Sequence, residues 1–353
     1  MPLDWSKLAP HRPLMPQDPL HVRRPDGGGD EIARWIEAGV DTIAIAGPVG
    51  SGKSTELSWA ASSVEPGFIS VQVPLDRLLD MHRITEDQVS IQVAKRIVDV
   101  AHSTMKLVLS EGLQRRINNP ARDTLLQTLR EVNQASHRNL ALFVDGLEKC
   151  RPDKAVEIAR ALLGLRGEAK IILVAPFALV IGSGAHELLS NVDRVFFLQA
   201  VPVRRDQGER GEAGRAFLRE IVRVRLDLPA LPDDLAALLD RAAEASGGVP
   251  RSFLQIARAA ATYAALAERE VMDRKDLHRA MRDHAESLER LLVAGDIDQL
   301  RVSSGTSGVE IPEERRLRLL SHGLLLEYRT DEGGTVVHPA PLLERALKPG
   351  AKV

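Results

Sequence analysis

The sequence predicts an α/β fold: a five-stranded parallel sheet covered by helices, followed by a helical lid and a small helix-and-hairpin domain. Three observations predict it. Short, β-branched apolar runs alternate with helical stretches up to about residue 200, the signature of a parallel sheet. After Pro202 the strand signals stop and helical stretches follow one another. The tail then reads helix, strand, turn, strand.

Residues 1–29 are rich in Pro, His and Asp and end in Asp26-Gly27-Gly28-Gly29, an arm. Asp30 is positioned to cap a helix through Ala38. Thr42 to Ala46 is a buried strand, followed by a glycine loop and a helix through about Ser63. Phe68 to Val73 is the second strand. Residues 74–139 exceed a simple crossover and hold helical stretches from Glu86 to Leu113 and from Ala121 to Ser136. Leu140 to Val144 is the third strand, ending at Asp145. A helix over 153–164 precedes the fourth strand, Ile171 to Val174, and Val195 to Leu198 is the fifth. Helices are expected at 206–227, 231–245, 250–269 and 273–292, and a flexible loop from Ser303 to Gly308. The tail reads helix Glu313 to Leu320, strand Leu324 to Tyr328, turn Asp331 to Gly334, strand Thr335 to His338 and helix Pro341 to Leu347, the outline of a winged helix. The expected divisions are an arm at 1–29, an α/β domain at 30–203, a lid at 204–292 and a winged-helix-like domain at 293–353.

Bulk properties exclude several classes. The 353 residues are 44% hydrophobic and 27% charged, ordinary values for a chain that buries a core. Net charge is -2, so no global basic field announces a nucleic-acid binder. The single cysteine, Cys150, makes no intramolecular disulfide and suits a reducing cytoplasm. The longest apolar run, Ile171 to Ile181, is interrupted by Pro176 and is too short to span a bilayer. A cytoplasmic location and no membrane partner are expected. The ten histidines form no zinc-binding pattern.

Gly47-Pro48-Val49-Gly50-Ser51-Gly52-Lys53-Ser54 fits G-x-x-x-x-G-K-[ST] at every fixed position. A triphosphate needs many donors converging on a small anionic volume. Backbone N–H groups of a tight loop supply them, and glycines let them approach. The helix that follows offers its free N–H groups and positive dipole end. Lys53 then reaches the β- and γ-phosphates, and the Ser54 hydroxyl ligates Mg²⁺. Asp145, at the tip of an apolar strand, has the place of the carboxylate that holds Mg²⁺ directly or through water. Gly146 follows it where many such sites carry Glu. Glu148 is the candidate for orienting or deprotonating the attacking water; a solvated loop charge is the alternative. ATP or ADP with Mg²⁺ is the expected ligand, and a Mg²⁺-dependent ATPase the expected activity.

With these motifs the chain resembles AAA+-related P-loop ATPases, close to the STAND branch and to archaeal origin-recognition ATPases. The resemblance rests on Gly47 to Thr55 as Walker A, Leu140 to Glu148 as Walker B, Gly247-Gly248-Val249-Pro250-Arg251 as a lid motif, and the tail from Arg315 to Leu347. It implies that Thr55 closes the phosphate loop and that Arg251 senses the nucleotide from the lid. It implies that Arg194, before the fifth strand, is an arginine finger reaching a neighbour's γ-phosphate, hence a nucleotide-dependent homo-oligomer. His21, Val22, Arg23 and Arg24 lie where related proteins contact the adenine. The fourth strand departs from the pattern: it ends Val174-Ala175-Pro176, without a polar sensor, which implies slow hydrolysis or a switch. The expectation is a nucleotide-dependent conformational or assembly switch with a protein partner, as in bacterial defence or signalling modules. The alternative is an ATP-gated nucleic-acid binder of initiator type. Residues 309–353 balance seven Lys and Arg against seven Asp and Glu, which favours protein contact over DNA reading. The basic run Arg204 to Arg225 interleaves with acids, as in a salt-bridged helix.

Overall fold

The computed structural model describes residues 3–9, 14, 18–65, 67–106, 110–112, 123–181, 186–303, 311–330 and 334–348. Strands β1 (Thr42–Ala46), β2 (Phe68–Pro74), β3 (Asn139–Asp145), β4 (Ala169–Val174) and β5 (Arg194–Phe197) form one parallel sheet in the order β2-β3-β4-β1-β5. Every residue of β1 is buried, as its unbroken apolar run requires between two helical layers. Alternate side chains serve the two faces. Ile43 and Ile45 meet α1 (Gly28–Glu37) and α2 (Lys53–Val64) through Ile32, Ile36, Leu57 and Ala60. Ala44 and Ala46 face the other core. After the short α3 (Leu75–Leu78), that core is built by α4 (Glu86–Met105), α5 (Thr124–Ser136) and α6 (Pro152–Leu163) with Val93, Ile97, Leu129 and Ile158.

Two element ends differ from expectation. Gly27, at φ 91°, starts α1 earlier, and Asp30 stands in its first turn instead of capping it. The Asp30 carboxylate instead accepts the Trp59 indole N–H at 2.6 Å. Helix α4 stops at Met105, where Lys106 turns left-handed; the expected extension to Leu113 falls partly on residues 107–109 and 113, outside the described residues. So do residues 121 and 122, the expected start of α5.

After α7 (His186–Leu189) and β5, four helices share one core: α8 (Gly208–Arg225), α9 (Asp233–Ala245), α10 (Pro250–Leu266) and α11 (Arg274–Glu289). Leu8 of the arm is fully buried among them, carried by a 3-10 turn at Trp5–Leu8. The arm is thus stapled to the lid by apolar packing. Three arginines of α8 are ion-paired, Arg215 with Glu212, Arg219 with Asp240 and Arg223 with Glu220, and Arg225 donates to the Ala9 carbonyl.

The tail contains an unforeseen α12 (Asp296–Ser303), then α13 (Glu313–Ser321) and an antiparallel hairpin of β6 (Leu325–Arg329) and β7 (Thr335–Pro339). The expected last helix, Pro341 to Leu347, is only a 3-10 turn at Pro341–Leu343. Arg301 takes the carbonyls of Leu347 and Lys348, holding that segment against α12. The expected loop over residues 304–308 and turn residues 331–333 lie outside the described residues. One apolar cluster joins Leu319, Leu320, Leu325 and Tyr328 of this tail to Phe177 and Ala200 beyond the sheet tips and to Val249 of the lid. Among the described residues no helix is long and apolar enough to cross a membrane.

Candidate functional site

The buried strand β1 runs into the glycine loop, and the loop into α2. Gly50 and Gly52 have φ of 87° and 101°, a left-handed backbone that side chains disfavour. A Cβ on Gly47 would lie 2.4 Å from the Leu198 carbonyl oxygen. Helix α2 has no side-chain cap at Gly52, so its first N–H groups are free for an anion.

Lys53 opens α2 and is buried, its ammonium donating to the carbonyls of Gly47 (2.9 Å) and Pro48 (3.0 Å). Burial holds its pKa below the ordinary lysine value, against the pull of Glu148 and Asp145. Asp145 ends β3 and hydrogen-bonds with the Ser54 side chain. Gly146, at φ 101°, turns the chain into a 3-10 turn at Leu147–Lys149 that carries Glu148. Burial pushes both carboxyls above their ordinary range; Asp76 adds repulsion on Asp145, and Asp145 on Glu148. Asp145 Oδ1, Glu148 Oε2 and Ser51 Oγ are buried without a hydrogen-bond partner. Buried polar atoms are seldom left so, which marks this corner as built for a ligand. A hydroxyl bonded to a buried carboxylate with an unused oxygen suits Mg²⁺, a hard cation that takes oxygen ligands. Cys150 beside Glu148 has its thiol pushed up to about 11, mainly by burial, and is unreactive.

The loop is held from the lid and from the tail. The Arg251 N–H, at the start of α10, donates to the Gly50 carbonyl (3.2 Å). The Val49 N–H donates to the carbonyl of Ser321, the last residue of α13 (3.2 Å). Arg24 is buried and bonds the carbonyls of Ser51 (2.8 Å) and Gln199 (2.9 Å) and the Asp26 carboxylate, bolting the arm to the loop. His21 stacks on Trp59 at 4.1 Å; both its ring nitrogens are buried without a hydrogen bond, and Nε2 lies 3.7 Å from the Glu56 carboxylate. His21, Val22 and Arg24 line an apolar cleft with Gly52, Thr55 and Leu254. Arg23 is exposed over Trp59 and is outside that lining.

The structure therefore brings together Gly47 to Thr55, Asp145, Glu148 and Arg251. It does not bring Arg194 to them: Arg194 starts the edge strand β5, exposed, its guanidinium 3.5 Å over the Trp35 ring. Sequence reading missed Ser321 and Asp76. Asp76 follows β2, pairs with Lys149 and faces Asp145 only because β2 and β3 are neighbours. No local pattern marks either residue.

No family model matches the sequence, and no curated protein matches it. Among solved structures, the chain is similar to a Walker-type ATPase of Pyrococcus abyssi, with TM-score 0.59 and 14% identity, covering 95% of this chain and 98% of that one. It is similar to the Aeropyrum pernix ORC2 protein in its ADPNP–ADP complexes, with TM-score 0.54, 13% identity and coverage of 98% and 97%. It is also similar to Drosophila ORC bound to DNA, with TM-score 0.50, 16% identity and coverage of 95% and 87%. At such identities the likeness is one of fold. The chain shares the fold of these structures, matched along nearly its whole length.

Proposed function

We propose that this chain binds ATP with Mg²⁺ at Gly47 to Thr55, hydrolyses it slowly, and serves as a nucleotide-dependent conformational or assembly switch. The observation that carries this is one loop with two attachments. The turn that precedes Lys53 and faces the unsatisfied oxygens of Asp145 and Glu148 is also bonded to the lid at Gly50 and to the tail at Val49. Loop N–H groups and Lys53 bind the phosphates, and Lys53 exchanges its carbonyl partners for phosphate oxygens. Ser54 and Asp145 would hold Mg²⁺, which supplies charge neutralisation on those oxygens. Glu148, its basicity raised by burial, orients the attacking water and takes its proton. Arg251 senses the ligand from the lid, and Arg194 of a neighbouring copy acts as the finger. Val174-Ala175-Pro176 offers no polar side chain at the tip of β4, which supports slow turnover.

In this reading the chain divides into arm 1–29, α/β domain 30–203, lid 204–292 and winged-helix-like domain 293–353. A γ-phosphate contacts the loop that the tail now grips, so ATP and ADP favour different tail positions. A STAND-like role in a defence or signalling module, with a protein effector, follows from the resemblance. Phosphate release by the wild type and by Glu148→Gln tests the enzyme; equal rates at background contradict it. Molecular mass in solution with ADP, ATP and a slowly hydrolysed analogue tests the assembly switch; one mass in all three contradicts it.

A second reading, an ATP-gated DNA binder, is favoured by the fold likeness to Drosophila ORC bound to DNA. A gel shift across a salt series tests it: specific retention at moderate salt supports it, and binding that is absent or lost on modest salt addition counts against it.

A further inference from the structure

We propose that the outer edge of β5 is a docking edge for an extended, acidic segment of another protein, which adds to the sheet as a further strand. Among the described residues, strand β5 closes one side of the sheet and pairs with β1 alone. The Leu198 N–H donates to the Ala46 carbonyl (2.8 Å), so backbone groups at 194, 196 and 198 face β1. In a parallel ladder the alternate residues face away. The N–H and C=O groups of Val195 and Phe197 therefore point out of the sheet. At its far end this edge closes, because Arg24 takes the outward Gln199 carbonyl. Val195 and Phe197 thus present a short row of main-chain donors and acceptors that β1 does not use.

A groove runs along this row. Glu31 of α1, Arg210 of α8, and Arg329 and Thr335 of the hairpin line it together with Arg194 and Phe196. Three arginines, Arg194, Arg210 and Arg329, stand in it against two carboxylates, Asp26 and Glu31, and Asp26 is already paired with Arg24. Arg194 and Arg329 have no carboxylate partner among the described residues. Main-chain pairing supplies attraction along the edge, and Arg329, joined by Arg194 in a copy whose Arg194 reaches no neighbour's site, selects an acidic sequence. A second copy of the same edge would set Arg194 and Arg329 against their own kind, which argues for a different, acidic protein.

The test is fluorescence anisotropy of the full chain with a labelled short peptide alternating glutamate and valine. Three probes accompany it: a lysine-for-glutamate counterpart, the acidic peptide N-methylated at alternate residues, and a short duplex DNA. The acidic peptide is expected to bind saturably and more weakly as salt rises, with the lysine and N-methylated peptides weaker by about tenfold or more. Val195→Pro, which removes an outward N–H without breaking the β1 ladder, and Arg329→Glu are each expected to weaken it comparably at unchanged melting temperature. The N-methylated peptide keeps the test valid should Val195→Pro not fold. Three results overturn the proposal: no saturable binding at millimolar peptide, equal binding of the N-methylated peptide, or DNA binding that Arg329→Glu weakens while the acidic peptide does not bind.

Discussion

At the scale of single residues, the site is a set of buried charges that the ligand-free chain satisfies poorly. Asp145 and Glu148 both have carboxyls raised by burial, so the folded chain holds their protons more tightly than the unfolded chain. Stability from such groups is present at low pH and lost as pH rises through the raised values. Glu148→Gln removes one of these groups. It is expected to stabilise the ligand-free chain by about 1–3 kcal/mol at neutral pH, with the gain shrinking as pH falls into the ordinary carboxylate range. Thermal melts of both forms across that range check it, and a variant less stable than wild type at neutral pH contradicts it. The same substitution is expected to slow phosphate release by about 10²–10⁴-fold, read in a steady-state assay. The residues of the glycine loop were legible in the sequence because their spacing is local and their chemistry demands it. Ser321, Asp76 and the bolting role of Arg24 were not. Each gains its place from a contact between segments far apart in the chain, which no local pattern encodes.

Elements carry the coupling between loop, lid and tail. Gly248 precedes α10 at φ 77°, and a Cβ there would lie 1.8 Å from the Val201 carbonyl oxygen. Gly248→Ala is expected to cost about 3 kcal/mol or more, by backbone strain and overlap together, and to displace the start of α10 with Arg251. Denaturant titration checks the first effect and nucleotide affinity the second. The Tyr328 hydroxyl of β6 donates to the Gly247 carbonyl (2.8 Å) in a buried contact between tail and lid. Tyr328→Phe leaves that carbonyl unpaired, and a loss of about 1–2 kcal/mol in a denaturant titration is expected. Strands were the most legible elements. Runs such as Thr42 to Ala46 and Leu140 to Val144 are apolar, short and bounded by turn residues, as a strand buried on both faces must be. Helix ends were less so: α1 starts on a left-handed glycine instead of on Asp30, and the chain after Pro341 is held by Arg301 instead of winding into a helix.

For the whole molecule, the tail lies across the tips of the sheet, and α13 points the Ser321 carbonyl at its C-terminus at the glycine loop. The carbonyl end of a helix carries partial negative charge, so this docking and a γ-phosphate oppose each other. Amide exchange at Val49 and along α13 is therefore expected to quicken with an ATP analogue relative to ADP; equal protection with both ligands would contradict the opposition. All of this requires that the loop grips polyphosphate through Lys53, and calorimetric titration of ATP with Mg²⁺ into the wild type and into Lys53→Ala measures that grip most directly. Loss of a buried, hydrogen-bonded cation of this kind costs about 2–5 kcal/mol, so the variant is predicted to bind about 30-fold more weakly or worse; undiminished affinity in Lys53→Ala would contradict the account.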